Sequence, residues 1–139
     1  MADGQKLVGK YRLDTNENFD EYMKKLGVNF ALRKLANNTK NTLVISINGD
    51  TWKVESLSTV KNNSAEFKLG EEFIEITPDG RKVKNLVTLE DGKLVTRQKA
   101  TKEGEKDSVI TRELIDENTL KVTCECEEVV CIRMYKREE

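Results

Sequence analysis

From Asn41 onward, apolar and polar residues alternate with a period of two. Leu43, Ile45 and Ile47 alternate with Val44 and Ser46, and Trp52 and Val54 with Lys53 and Glu55. Ala65, Phe67 and Leu69 alternate with Glu66 and Lys68, and Leu120, Val122, Cys124 and Cys126 with Lys121, Thr123 and Glu125. Successive side chains on a strand point to opposite faces, so this period predicts strands with one buried face. Residues 73–77, 82–89, 94–99, 108–115 and 129–135 complete the set, and residues 10–13 predict one strand before it. Turn signals separate them: Asn48-Gly49-Asp50, Asn62-Asn63, Pro78-Asp79-Gly80, Asp91-Gly92 and Glu103-Gly104. Between the first strand and the rest the period changes. Phe19, Tyr22, Met23 and Leu26 fall at i, i+3, i+4 and i+7, a helix stripe. Asn16 or Asn18 suits its N-terminus and Gly27 its end. Asn29 suits the cap of a second short helix, with Leu32, Leu35 and Ala36 on its apolar side and Arg33 and Lys34 facing out.

Short strands at regular spacing predict an antiparallel meander. Closing it into a barrel hides the strand edges. The fold expected is all-β: a ten-stranded antiparallel up-and-down barrel, residues 1–139 as one domain, with a helix-turn-helix lid after the first strand. Only 6% of residues are aromatic. A barrel of this size encloses more volume than such side chains fill, which predicts a ligand cavity.

The last strand carries the most informative chemistry. Arg133 and Tyr135 share one face with Val129 and Cys131, while Val130, Ile132 and Met134 share the other. A surface Arg beside an edge Tyr is the ordinary reading. If the face is interior, the guanidinium needs an anionic partner, and a ligand carboxylate serves.

Composition removes alternatives. A formal net charge of −1 argues against general nucleic-acid binding, and the 35% charged residues are mixed in sign. No apolar run reaches membrane-span length, and the start, Met1-Ala2-Asp3-Gly4-Gln5-Lys6, lacks a signal peptide's apolar core. Cytosolic residence, with access to the nucleus by diffusion, is the expectation. The odd count of three cysteines predicts free thiols. With no histidine, the commonest general base and every His-based nucleophile or metal site are absent. Neither an enzyme nor a cofactor or metal is expected.

Gly9-Lys10-Tyr11-Arg12-Leu13, followed by residues 17–28 (Glu-Asn-Phe-Asp-Glu-Tyr-Met-Lys-Lys-Leu-Gly-Val), resembles the N-terminal motif of the intracellular lipid-binding proteins. These include the fatty-acid-binding and cellular retinoic-acid-binding proteins. Residues 67–73, 79–84, 111–114 and 131–135 resemble the family's middle and last strands, in the expected order. The resemblance implies a non-enzymatic carrier that binds a long-chain fatty acid inside the barrel. The carboxylate-binding roles fall on Arg112, Arg133 and Tyr135. The retinol-binding branch has Gln where Arg112 stands, so Arg112 implies an acid ligand. Lid and portal contacts fall on Phe19, Met23, Val60, Pro78 and Asp79. A basic lid surface falls on Lys24, Arg33 and Lys34; in some relatives the matching trio directs nuclear import, and it also suits transient contact with anionic membrane. A monomer is implied. The alternative is a retinoic-acid-binding protein delivering its ligand to a nuclear receptor or enzyme. Val60 replaces a frequent portal Phe, Asn41 a frequent Pro and Tyr11 the usual Trp, and the turn at residues 99–107 is long, as in the retinoid branch.

Overall fold

The computed structural model describes residues 3–138; of the N-terminal stretch read above, Met1 and Ala2 lie outside them. A short 3-10 segment, Asp3–Leu7, leads into β1 (Gly9–Glu17), and α1 (Phe19–Leu26) and α2 (Phe30–Asn37) follow. The remaining strands are β2 (Thr42–Asn48), β3 (Thr51–Leu57), β4 (Asn63–Lys68), β5 (Phe73–Ile76) and β6 (Lys82–Glu90). They continue with β7 (Lys93–Ala100), β8 (Ser108–Asp116), β9 (Thr119–Cys126) and β10 (Val129–Glu138). This is the expected helix-lidded meander of ten strands.

The hydrogen-bonded order is β4-β3-β2-β1-β10-β9-β8-β7-β6-β5. The antiparallel β1–β10 pairing joins the two ends of the chain. Closure is not complete, however: β4 and β5 share no ladder. Side chains bridge the gap instead. Phe67 on β4 stacks on Phe73 of β5 at 5.4 Å, with 7° between the rings. Asn63 Nδ2 donates to Glu75 Oε2 across it at 3.4 Å. The two unpaired edges are short, which limits their exposure to foreign strands.

β1 runs four residues past its predicted end. Asp14, Thr15, Asn16 and Glu17 have no apolar alternation, yet a bulge between Leu13 and Thr15 lets the strand go on pairing β10, as far as Glu17 opposite Ile132. The 3-10 segment was not predicted either. It plugs one end of the barrel with the fully buried Leu7, whose carbonyl accepts from Tyr11 Oη at 2.8 Å.

The lid forms at its expected place. Gly27 adopts φ 93°, a left-handed conformation that ends α1, and the N–H groups of Gly27 and Val28 return to Lys24 and Met23. Asn29 Oδ1 accepts from Leu32 N at 2.9 Å, capping α2. Asn18 holds the N-cap position of α1 without a side-chain cap; its Nδ2 donates to Val130 O, tying the helix start to β10. α1 buries Tyr22, Met23 and Leu26, whereas α2 buries no residue. Leu32 and Leu35 stay 40% and 45% exposed because α2 spans the mouth of a cavity.

Candidate functional site

The barrel encloses a cavity of about 360 Å³ under the lid. Most of its exposed wall is apolar, with Met23, Val54, Val87 and Ile110 among the contributors, but polar side chains are numerous, and those on the strands are placed there by strand parity.

Arg133 and Tyr135 do share the interior face of β10; Tyr135 and Cys131 are buried, while Val130 on the other face is exposed. Val122 of β9 is the register partner of both Arg133 and Arg112 of β8. The two arginines thus lie in one row, two strand spacings or about 10 Å apart at the backbone. Arg133 Nε donates to Asn16 Oδ1 at 2.8 Å, and its guanidinium lies 4.0 Å over the Phe19 ring. Arg133 Nη2 (3.4 Å) and Tyr135 Oη (2.9 Å) both donate to Asn41 Oδ1. These two donors of β10 converge on one acceptor.

Arg112 sits apart from that convergence. Its Nη1 donates to Thr96 Oγ1 at 3.2 Å, and its buried Nε has no partner among the described residues. Burial pushes its pKa below the usual arginine value, against the opposing pull of Cys124, Glu75 and the two nearby tyrosines. Burial also raises the Tyr135 pKa, with the Arg133 charge pulling the other way, so the phenol stays protonated and donates.

Several site residues escaped the sequence reading. Glu75 lines the cavity and accepts from Asn85 Nδ2 and Asn63 Nδ2. On β5 the acid points inward with Phe73, while Ile74 and Ile76 are more than half exposed. The shared parity of Phe73 and Glu75 was the available signal. Asn41 has the parity of Leu43, and Arg81 that of the buried Val83 and Asn85.

Around the mouth stand Val60, Pro78 and Asp79, and Phe19 and Met23 line the cavity from the lid helix α1. Lys61 Nζ donates to the Pro78 carbonyl at 2.9 Å, linking the β3–β4 and β5–β6 connections. Arg81 Nε pairs with Asp79 Oδ2 at 2.6 Å, and Thr77 Oγ1 donates to Asp79 Oδ1 at 2.7 Å. Burial alone would raise the Asp79 pKa; the hydrogen bonds from Arg81 and Thr77 and the Arg81 charge outweigh it and lower the pKa from 3.8. A carboxylate with a lowered folded-state pKa stabilises the fold above its unfolded value, and that contribution is lost as pH falls through the folded value. The Thr77–Arg81 turn is therefore expected to loosen below about pH 4 and not between pH 5 and 8. Amide protection at residues 77 and 79–81, taken relative to the intrinsic exchange rate at each pH, checks this, and Asp79→Asn should remove the loss of protection below about pH 4.

The expected basic lid surface needs correction at one position. Lys24 and Lys34 are exposed, but Arg33 is turned in, its side chain only 15% exposed. It pairs with Asp20 at 3.2 Å and donates to the Val28 carbonyl at 2.7 Å, fastening α2 to α1.

The Lipocalin / cytosolic fatty-acid binding protein family profile matches residues 8–138. Fatty acid-binding protein homolog 6 of Caenorhabditis elegans is 48% identical over 134 residues, covering 96% of this chain and 98% of that protein. The crystal structure of apo lipid binding protein 8 of Caenorhabditis elegans superposes with a TM-score of 0.93 at 40% identity, covering 96% of each chain. A Schistosoma mansoni fatty acid binding protein in complex with arachidonic acid superposes with a TM-score of 0.92 at 38% identity, over 99% of this chain and 100% of that one. The strand order, the lid and these matches agree: the chain belongs to the Lipocalin / cytosolic fatty-acid binding protein family.

Proposed function

We propose that this protein is a non-enzymatic cytosolic carrier that reversibly binds one long-chain fatty acid, with the carboxylate at Arg133 and Tyr135 and Arg112 supplying further positive charge. The observation that carries this reading is the convergence of Arg133 and Tyr135 on one acceptor inside an apolar cavity. A guanidinium and a protonated phenol together bind a carboxylate with charge-assisted hydrogen bonds. The tail supplies most of the affinity. Burying roughly 14 methylenes at about 0.8 kcal/mol each gives an upper bound near 11 kcal/mol. Ordering and association take back several kcal/mol, leaving affinities from about micromolar to tens of nanomolar. Phe19, Met23, Val60, Pro78 and Asp79 would contact the ligand or its path at the mouth. The arachidonic acid complex of the Schistosoma mansoni relative supports the ligand class.

The test is competition. Lipid co-purifying with the protein is extracted and identified by mass spectrometry, and the protein is then titrated with oleate, methyl oleate and retinoic acid. Fatty acid in the extract, and oleate preferred about tenfold or more over both competitors, is the expected result. Equal binding of oleate and methyl oleate would remove the carboxylate site, and preference for retinoic acid would replace the ligand.

A further inference from the structure

Asn41 lies between α2 and β2. Its carbonyl accepts from Leu13 N at 3.0 Å, so it extends the β1–β2 ladder by one residue beyond the Arg12–Thr42 pair. Two residues before Leu43, its side chain falls on the cavity face. Both ends of its carboxamide are engaged. Oδ1 accepts from Arg133 Nη2 and Tyr135 Oη, and Nδ2 donates to Ser56 Oγ at 2.8 Å. A guanidinium has donors only, so the amide atom facing it must be the oxygen, and the orientation is fixed by chemistry.

A carboxamide and a carboxylate are planar groups of similar size, each offering an sp² oxygen. We infer that Asn41 Oδ1 is an internal stand-in for the ligand's carboxylate: it holds the Arg133–Tyr135 donors in place in the empty carrier and gives way when an acidic lipid arrives. This rests on reading Arg133 and Tyr135 as the carboxylate site. The exchange runs toward the acid because hydrogen bonds to an ionised acceptor are roughly twice as strong as neutral ones. Without a ligand carboxylate, Asn41 Oδ1 gives both donors an acceptor. The consequence is a built-in competitor. The acid is held less tightly than its headgroup contacts alone would hold it, which favours release by a carrier.

Asn41→Ala and Asn41→Asp, titrated with oleate, test this, with thermal unfolding of each variant measured alongside. Removing the competitor in Asn41→Ala should tighten oleate about three- to tenfold, the worth of one ordinary hydrogen bond. Asn41→Asp is nearly isosteric and installs a permanent carboxylate against Arg133; it should weaken oleate more than about tenfold. Weaker binding by a folded Asn41→Ala would make Asn41 a direct ligand or a prop and overturn the inference. Unchanged binding by either folded variant would overturn it as well. If Asn41→Ala does not fold, Asn41→Ser, whose side chain is too short to reach both donors, takes its place with the same expected and overturning results. The wild-type comparison of oleate with methyl oleate separates the two levels. Equal binding there sinks the carboxylate site itself, whereas a clear oleate preference with no tightening in Asn41→Ala sinks only the stand-in.

Discussion

Replacing Arg133 with Gln lowers oleate affinity about 10- to 100-fold and changes that of oleyl alcohol by less than about threefold, as measured by displacement titration. The size follows from the bond lost. A hydrogen bond to a charged group contributes about 1.5–3 kcal/mol, and each 1.4 kcal/mol is a factor of ten. The selectivity follows from the tail. An alcohol keeps its apolar contacts with Met23, Val54, Val87 and Ile110, and it never had an ionic headgroup to lose. The control is the lid. Arg133 also lies 4.0 Å over Phe19, so its loss disturbs the helix start as well as the site. Disturbance of the lid would weaken both ligands together, and an equal loss for acid and alcohol would show that Arg133 acts through Phe19.

Arg112→Met has two effects of opposite sign. In the unliganded protein it raises stability, because the partly buried guanidinium faces the cavity with only the neutral Thr96 hydroxyl as a hydrogen-bond partner among the described residues, and its buried Nε has none. Replacing buried ionic groups by apolar side chains of similar volume is often neutral or stabilising, by up to about 1–4 kcal/mol. For a chain of this length that is a Tm increase of several degrees. With oleate present the order reverses. The variant loses the attraction between Arg112 and the carboxylate, and its affinity falls about 5- to 50-fold. A site residue whose removal stabilises the empty protein and weakens the loaded one is held in place by function. A lower Tm for unliganded Arg112→Met would show that the guanidinium contributes net stability and is not held there at a cost.

The architecture was legible wherever one face of an element is buried, because burial imposes a period on the sequence. The alternation of Leu43 to Ile47 and of Leu120 to Cys126, and the stripe of Phe19, Tyr22, Met23 and Leu26, marked their elements. So did Gly27 and Asn29, whose roles are set by local geometry. Legibility failed where pairing alone maintains a strand. The polar end of β1 looks like a loop, and only its ladder with β10 makes it a strand. It failed between β4 and β5 too, which the expected closed meander would pair although they share no ladder. Within the site, Arg133 and Tyr135 were legible because parity placed them together on an otherwise apolar face. Arg112 came from a family resemblance, since Thr111-Arg112-Glu113 has no apolar contrast to orient it. Glu75 was hidden by its flanking isoleucines, which face outward against hydropathy. Arg33 looked like a surface cation because its partner, Asp20, lies on the other helix. Asn41 registered only as a missing proline. Its two donors come from the far end of the chain, and no local pattern announces a contact between residues 41, 133 and 135.

The most direct measurement is a crystal structure of the oleate complex. The carboxylate is expected inside the barrel, with its oxygens about 3 Å from the Arg133 guanidinium and the Tyr135 hydroxyl, and the Asn41 side chain turned off those donors. An oleate lying in the opposite direction, with its carboxylate at the lid and its tail against Arg133 and Tyr135, would contradict it.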